Sequence, residues 1–178
     1  LRGDLPEGAA TGDFAHACDL IEEIHACGDF CVGAACYPEG HPESPSQEAD
    51  LDALQRKAAC GVSFLTTQMF FDNNILFNFL YRALKHKIDV PVIAGIMPVT
   101  SAAQIKRIMS ISGTALPQRF VRIVDRFGDD PAAMKQAGIA YATEQIIDLL
   151  ANGINAIHVY SMNKPDVAAA IKENLRHI

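Results

Sequence analysis

In the segment Ala34-Ala35-Cys36-Tyr37-Pro38-Glu39-Gly40-His41-Pro42-Glu43, an apolar strand runs into a loop holding a tyrosine, a histidine and two glutamates. Histidine and carboxylates can exchange protons, so acid–base catalysis is one use for such a set. Holding a polar ligand is another. Pro38 and Pro42 fix φ, remove two backbone donors and bias the residues before them toward extended geometry, so the segment reads as a stiff rim. A stiff polar rim just past a buried strand is the pattern of a ligand site.

Other residues able to do chemistry are scattered: Asp4 after Gly3, Asp50, the neighbouring cations Arg56 and Lys57, Gln68 after Thr67, Gln104, and Lys164 after Asn163. Paired cations complement a phosphate, but they equally suit a solvated helix face. His41 can be a ligand contact or a loop hydrogen-bonder. Glu39 and Glu43 read as simple rim charges. Five cysteines (Cys18, Cys27, Cys31, Cys36, Cys60) form an odd set with no CxxC pair. That fits neither a disulfide framework nor a zinc site; no metal is expected, and the thiols read as reduced, buried small hydrophobes.

The elements that must position these groups alternate. Phe14, Cys18, Ile21 and Ile24 have helical spacing over 13–27, and Gly28 ends that helix. A strand follows over Phe30 to Cys36. Ser44-Pro45-Ser46-Gln47 reads as a helix start with Ser44 as N-cap, running to about Cys60 with Leu51, Leu54 and Ala58 inward. Val62 to Thr67 is a strand, and Asp72 caps a helix with Ile75, Leu76, Phe79, Leu80, Ala83 and Leu84 inward. The apolar run Pro91 to Met97 suits a parallel strand covered on both faces. Ser101 with Gln104 makes a capping-box start, with Ile105, Ile108, Met109 and Ile111 inward. A short helix follows Pro117, a long one runs from Asp130-Pro131 to Gly153, and a strand over Ala156 to Tyr160 precedes a helix from Pro165 to about Leu175.

Strand starts near 31, 62 and 91 are about 30 residues apart, the length of a strand plus crossover helix. The expected fold is therefore α/β with a parallel sheet, and Asp4, Tyr37 to Glu43, Gln68 and Lys164 all follow C-terminal strand ends, where barrels and open α/β sheets bind ligands. Four strands and a strand remnant make about half of a (β/α)8 TIM barrel, which usually needs roughly 250 residues. Residues 1–178 thus read as a single partial-barrel domain, roughly strands 5 to 8, with the first half absent. The opening Leu1-Arg2-Gly3-Asp4, without an initiator Met, reads as the start of a fragment.

A hydrophobic content of 49% with 20% charged residues provides ample core for about one domain. A net charge of -6 and a pI near 5.4 argue against a nucleic-acid or anionic-membrane partner and for a small molecule. No apolar run has the length of a membrane span and no signal-peptide pattern opens the chain, so the cytoplasm is the expected compartment.

The ordered set Leu1-Arg2-Gly3-Asp4, Tyr37-Pro38-Glu39-Gly40-His41-Pro42, Asp50 with Arg56-Lys57, Thr67-Gln68, Gly95-Ile96-Met97-Pro98 and Tyr160-Ser161-Met162-Asn163 resembles methylenetetrahydrofolate reductase. The match covers all 178 residues but only the C-terminal part of that family's catalytic barrel. The resemblance implies FAD as cofactor, NADH or NADPH as hydride donor, and reduction of 5,10-methylenetetrahydrofolate to 5-methyltetrahydrofolate in the one-carbon metabolism that feeds methionine synthesis. A non-catalytic flavin- or folate-binding half-barrel is the alternative. A half-barrel also leaves unpaired strand edges, which implies a homo-oligomer or association with the missing half.

Carried over by position, Leu1, Arg2, Gly3 and Asp4 line the flavin, and Asp4 is the catalytic carboxylate beside its ring; without the resemblance its rival reading is a turn Asp after Gly3. The resemblance has Tyr37 pack on the flavin, while His41, Asp50, Arg56 and Lys57 hold its ribityl, pyrophosphate and adenosine parts. Gln68 meets the pterin and Lys164 the folate carboxylate. Gln104 has two readings, folate contact and helix cap, and Tyr160 is either core or a cofactor neighbour. Met69 and Ile108 stand where the family often has stacking aromatics. The family's general acid, a Glu that protonates folate N10, belongs to the first half of the barrel; Glu39 and Glu43 do not replace it.

Overall fold

A computed structural model describes residues 12–112 and 114–178, without the side chains of residues 106, 107, 110 and 111. Leu1, Arg2, Gly3 and Asp4 lie outside the described residues. Four short strands, β1 (Gly33–Cys36), β2 (Phe64–Thr67), β3 (Val92–Ile96) and β4 (Ile157–Val159), form one parallel sheet in the order β1-β2-β3-β4. Seven helices are found among the described residues: α1 (Ala17–Cys27), α2 (Gln47–Ala59), α3 (Asn73–Lys85), α4 (Ala102–Ser112), α5 (Gln118–Phe127), α6 (Pro131–Ala151) and α7 (Pro165–Asn174). Parallel neighbours need a crossover connection, so helices stand between every pair of strands. Strand order follows chain order, which brings all four C-terminal strand ends to one edge of the sheet.

Local chemistry sets most helix starts. The Asp72 side chain accepts from the Asn74 N–H at 3.0 Å and begins α3, and Asp130 accepts from the N–H groups of Ala132 and Ala133 before Pro131 opens α6. The start of α2 differs from the sequence expectation. Ser46, not Ser44, is the N-cap, accepting from the Ala49 N–H at 3.1 Å. The Ser44 hydroxyl is already given to Asp50, and starting at Gln47 leaves Glu48 and Asp50 in the first turn, where they complement the helix dipole.

One core cluster packs Leu65, Ala94 and Ile96 of the sheet against Leu54, Leu76, Phe79, Ile146, Leu149 and Ile171 of the surrounding helices. A second lies beyond the strand ends, where Met69, Phe71, Val99, Ile105, Ile108, Phe120 and Met134 meet. Phe71 and Phe120 stack there with centroids 5.1 Å apart. Leu84 and Met109, expected to face inward, are exposed at 68% and 50%, because each helix buries a narrower stripe than its apolar residues span, whereas Phe14, expected inward on a helix over 13–27, precedes the start of α1 and is 43% exposed. β1 is also shorter than expected: Phe30 is exposed, and pairing begins only at Gly33, where a β-carbon would lie 2.4 Å from the Phe64 ring. All five cysteines are free, but only Cys36 is buried, so the expectation of five buried thiols holds for one. No helix among the described residues is long and apolar enough to cross a membrane.

Candidate active site at the C-terminal strand ends

The loop after β1 folds back on itself. Gly40, with φ of +96°, donates its N–H to the Tyr37 carbonyl at 3.0 Å, a backbone conformation that favours glycine. The turn brings His41 edge-on to the Tyr37 ring, with centroids 4.6 Å apart. His41 Nδ1 accepts from the Glu43 N–H at 3.1 Å, so in the neutral ring Nε2 carries the proton and is left as a donor. Tyr37 is half-buried. Burial, then the charge of Asp50, lifts its phenol above the ordinary value and keeps it a donor.

α2 runs behind this loop. Asp50 accepts from Ser44 Oγ at 3.1 Å, and Lys57 Nζ donates to the Ala35 carbonyl at 2.9 Å, leaving other ammonium protons for a ligand. Tyr37, His41, Asp50 and Lys57 are thus gathered around the end of β1. Arg56 is exposed on the last turn of α2, with no side-chain bond among the described residues. Glu43 is exposed, a rim charge as expected, but Glu39 is not: Oε2 accepts from the Ala115 N–H at 3.2 Å, while Oε1 is buried without a partner. Glu39, His41, Ser44, Ser46, Gln47 and Ser112 line a cleft of about 320 Å³. Its hydroxyls, imidazole and unpartnered acceptor suit the hydroxyls of a polyol such as the ribityl chain of FAD, and of the described residues expected to hold that cofactor only His41 is among those lining the cleft.

At the end of β2, Gln68 is part-buried, its N–H donates to the Cys36 carbonyl at 2.7 Å, and its side-chain amide makes no hydrogen bond among the described residues. Past β3, Ser101 Oγ accepts from the Gln104 N–H at 3.3 Å, and Gln104 Oε1 accepts from the Thr100 N–H at 3.2 Å. Gln104 therefore caps α4 through its oxygen, and its amide nitrogen remains for a ligand. Lys164, after β4, donates to Thr100 Oγ1 at 2.7 Å. Gln104 and Lys164 are brought together on Thr100, a residue the sequence gave no reason to single out. Met69 and Ile108 are each only 7% exposed and belong to the second core cluster, so neither presents a face for stacking.

A slightly larger cavity, about 370 Å³, lies apart between the starts of α3 and α5 and the flank of α6, lined by Asp72, Asn73, Arg119, Tyr141, Glu144 and Asp148. Its polar groups are largely spent on each other: Arg119 pairs with Glu144, Asn73 Nδ2 donates to Asp148 and to the Gln145 carbonyl, and Tyr141 donates to the Phe71 carbonyl. Among the described residues, no group of three or more His, Cys, Asp or Glu side chains is placed to hold a metal ion.

The family model for methylenetetrahydrofolate reductase matches residues 1–176. The chain belongs to the methylenetetrahydrofolate reductase family. It is 34% identical to the 5,10-methylenetetrahydrofolate reductase of Escherichia coli over 98% of its own length and 59% of the relative's, and 33% identical to that of Pectobacterium carotovorum over 98% and 58%. Against methylenetetrahydrofolate reductase (NADH) 1 of Zea mays the identity is 34%, covering 98% of this chain and 32% of the relative. The chain thus spans about three fifths of the bacterial relatives. Among solved structures, an uncharacterized protein from Clostridium thermocellum described as binding two copies of 5-methyl-5,6,7,8-tetrahydrofolic acid shares the fold, with a TM-score of 0.53 and 16% identity over 86% of this chain and 56% of that one.

Proposed function

We propose that this chain is the C-terminal half of the catalytic (β/α)8 barrel of an enzyme that reduces 5,10-methylenetetrahydrofolate to 5-methyltetrahydrofolate, with FAD as cofactor and NADH or NADPH as hydride donor. One observation carries the reading: in a member of this reductase family, Tyr37, Gln68, the Gln104–Thr100 pair and Lys164 follow successive parallel strands at a single sheet edge. Binding at that edge is the rule for such folds.

Tyr37 and His41 form one wall of the cofactor site, and Lys57 with Arg56 neutralises phosphate charge. Asp50 holds Ser44 and so fixes the turn that carries His41. FAD, when bound, supplies the two-electron relay between nicotinamide and folate. Gln68 can both donate to and accept from the pterin edge, which presents both kinds of group. The Lys164 ammonium and the Gln104 amide nitrogen meet the far end of the folate. To Asp4, outside the described residues, the family resemblance assigns the negative charge that favours the cationic iminium form of the substrate.

The test uses the complete protein loaded with FAD. NADH or NADPH should bleach the flavin band, and 5,10-methylenetetrahydrofolate should restore it with formation of 5-methyltetrahydrofolate. A protein that takes up no FAD, or a bleached flavin that the folate leaves unchanged, overturns the reading.

A further inference from the structure

The peptide unit joining Thr67 to Gln68 is gripped at both ends. Its N–H donates to the Cys36 carbonyl at 2.7 Å, and its carbonyl accepts from the Tyr160 hydroxyl at 2.9 Å. The second bond replaces one that the sheet would otherwise make. β2 pairs with β3 in the register Leu65↔Val92 and Thr66↔Ile93, so a continued parallel ladder would send the Gly95 N–H to the Thr67 carbonyl. That N–H goes instead to Thr67 Oγ1 at 2.8 Å. Thr67 is fully buried, so its displaced carbonyl needs another donor. Tyr160 supplies it, reaching over β3 from the end of β4, with its own N–H anchored on the Ile96 carbonyl at 2.8 Å.

Gly95 makes room for this arrangement. A β-carbon there would lie 2.3 Å from the Thr67 carbonyl oxygen and 2.6 Å from the Tyr160 ring. Burial raises the Tyr160 phenol above its ordinary value, so the hydroxyl keeps the proton it donates.

We propose that Tyr160 is a positioning residue for Gln68. By fixing the plane of the 67–68 peptide from the side opposite Cys36, it sets the direction in which the Gln68 side chain leaves the strand. This rests on the reading of Gln68 as the pterin-binding amide. Tyr160 acts on folate through Gln68 and not by its own contact.

A double-mutant cycle in the complete protein tests the proposal, with the dissociation constant for 5-methyltetrahydrofolate as readout. Tyr160→Phe should weaken binding by about 3- to 10-fold, the worth of one net hydrogen bond, and should cause no further loss when Gln68 is already alanine. Losses that add in the double variant overturn the positioning role, because the phenol would then act independently. Weakened binding in Gln68→Ala with unchanged binding in Tyr160→Phe also overturns it while leaving the Gln68 reading intact. Unchanged binding in Gln68→Ala overturns the Gln68 reading itself. A second measurement avoids truncation: with fluorinated tyrosines, which are more acidic and donate more strongly, the Thr67 carbonyl carbon resonance should shift. An unmoved Thr67 resonance overturns the clamp.

Discussion

Lys164 and Thr100 are joined by an ammonium-to-hydroxyl bond of 2.7 Å that ties the loop after β4 to the cap of α4, where Gln104 Oε1 already holds the Thr100 N–H. The bond aims an otherwise long and mobile cation at one place. Lys164→Ala should therefore weaken folate binding about 2- to 5-fold, as loss of an exposed charge pair would. The deficit should shrink as salt is raised, and Lys164→Arg should recover most of it. Titrations with 5-methyltetrahydrofolate at two ionic strengths check this; a salt-independent loss would place Lys164 in a structural role only.

Gly138 brings α6 against the loop that leads to Thr100. A β-carbon there would lie 1.8 Å from the Val99 carbonyl oxygen, and backbone cannot move aside cheaply. Gly138→Ala should lower stability by about 1–3 kcal/mol and also weaken folate binding, because Val99 carries Thr100 with it. Urea denaturation and folate titration of the same variant measure both. An unchanged midpoint would contradict the packing described.

Glu39 should give stability an unusual pH slope. Burial lifts its carboxyl above the ordinary glutamate value, partly offset by the bond from the Ala115 N–H and by the influence of the Thr114 side chain. A carboxyl with its folded pKa above its unfolded one binds its proton more tightly in the fold. Its contribution is therefore greatest at low pH and declines as pH rises from the unfolded value through the folded one. Most native carboxylates do the opposite. Glu39→Gln removes that term, so melting temperatures should move in the variant's favour as pH rises through that window and then level off. The group is only half-buried, so the change should be about 1 kcal/mol or less. Parallel melting curves for wild type and variant would show no pH-dependent gap if Glu39 were solvated.

Thiol reactivity should separate the cysteines. Burial pushes the Cys36 thiol up to about 12, so it holds no thiolate near neutral pH, while Cys27 and Cys31 are exposed. Brief alkylation followed by peptide mass spectrometry should find Cys27 and Cys31 modified well before Cys36. Early labelling of Cys36 would mean that the end of β1 opens readily.

Asp4→Asn removes a negative charge from beside the cofactor in the proposed reading. The flavin reduction potential should rise, and the folate half-reaction should slow more than the NADH half-reaction, in rapid-mixing traces. Equal slowing of both would argue against the role given to Asp4.

Much of this architecture is local and so could be read along the chain. Asp72, Asp130 and Ser101 cap helices because a short polar side chain satisfies N–H groups two or three residues away. The regular spacing of apolar strands and amphipathic helices determines the α/β class, and the ordered motifs determine the family. Even the local signal failed where two candidates competed: Ser44 and Ser46 have equivalent side chains, and in the fold Ser46 accepts from the Ala49 N–H while Ser44 donates to Asp50. What remained invisible joins distant parts of the chain. Glu39 meets Ala115 across 76 positions, Lys164 meets Thr100 across 64, and Tyr160 meets Thr67 across 93. No periodicity encodes such pairs, because they exist only after the sheet has brought its strand ends to one edge. The sequence by itself determined the α/β class, the family and a set of candidate polar groups after the strands. The tertiary structure decided how they are held: it took Glu39 from a simple rim charge to a half-buried acceptor of the Ala115 N–H, and it gave Tyr160, open to a core or a cofactor-neighbour reading, a bond to the Thr67 carbonyl, because only the folded sheet brings these partners together.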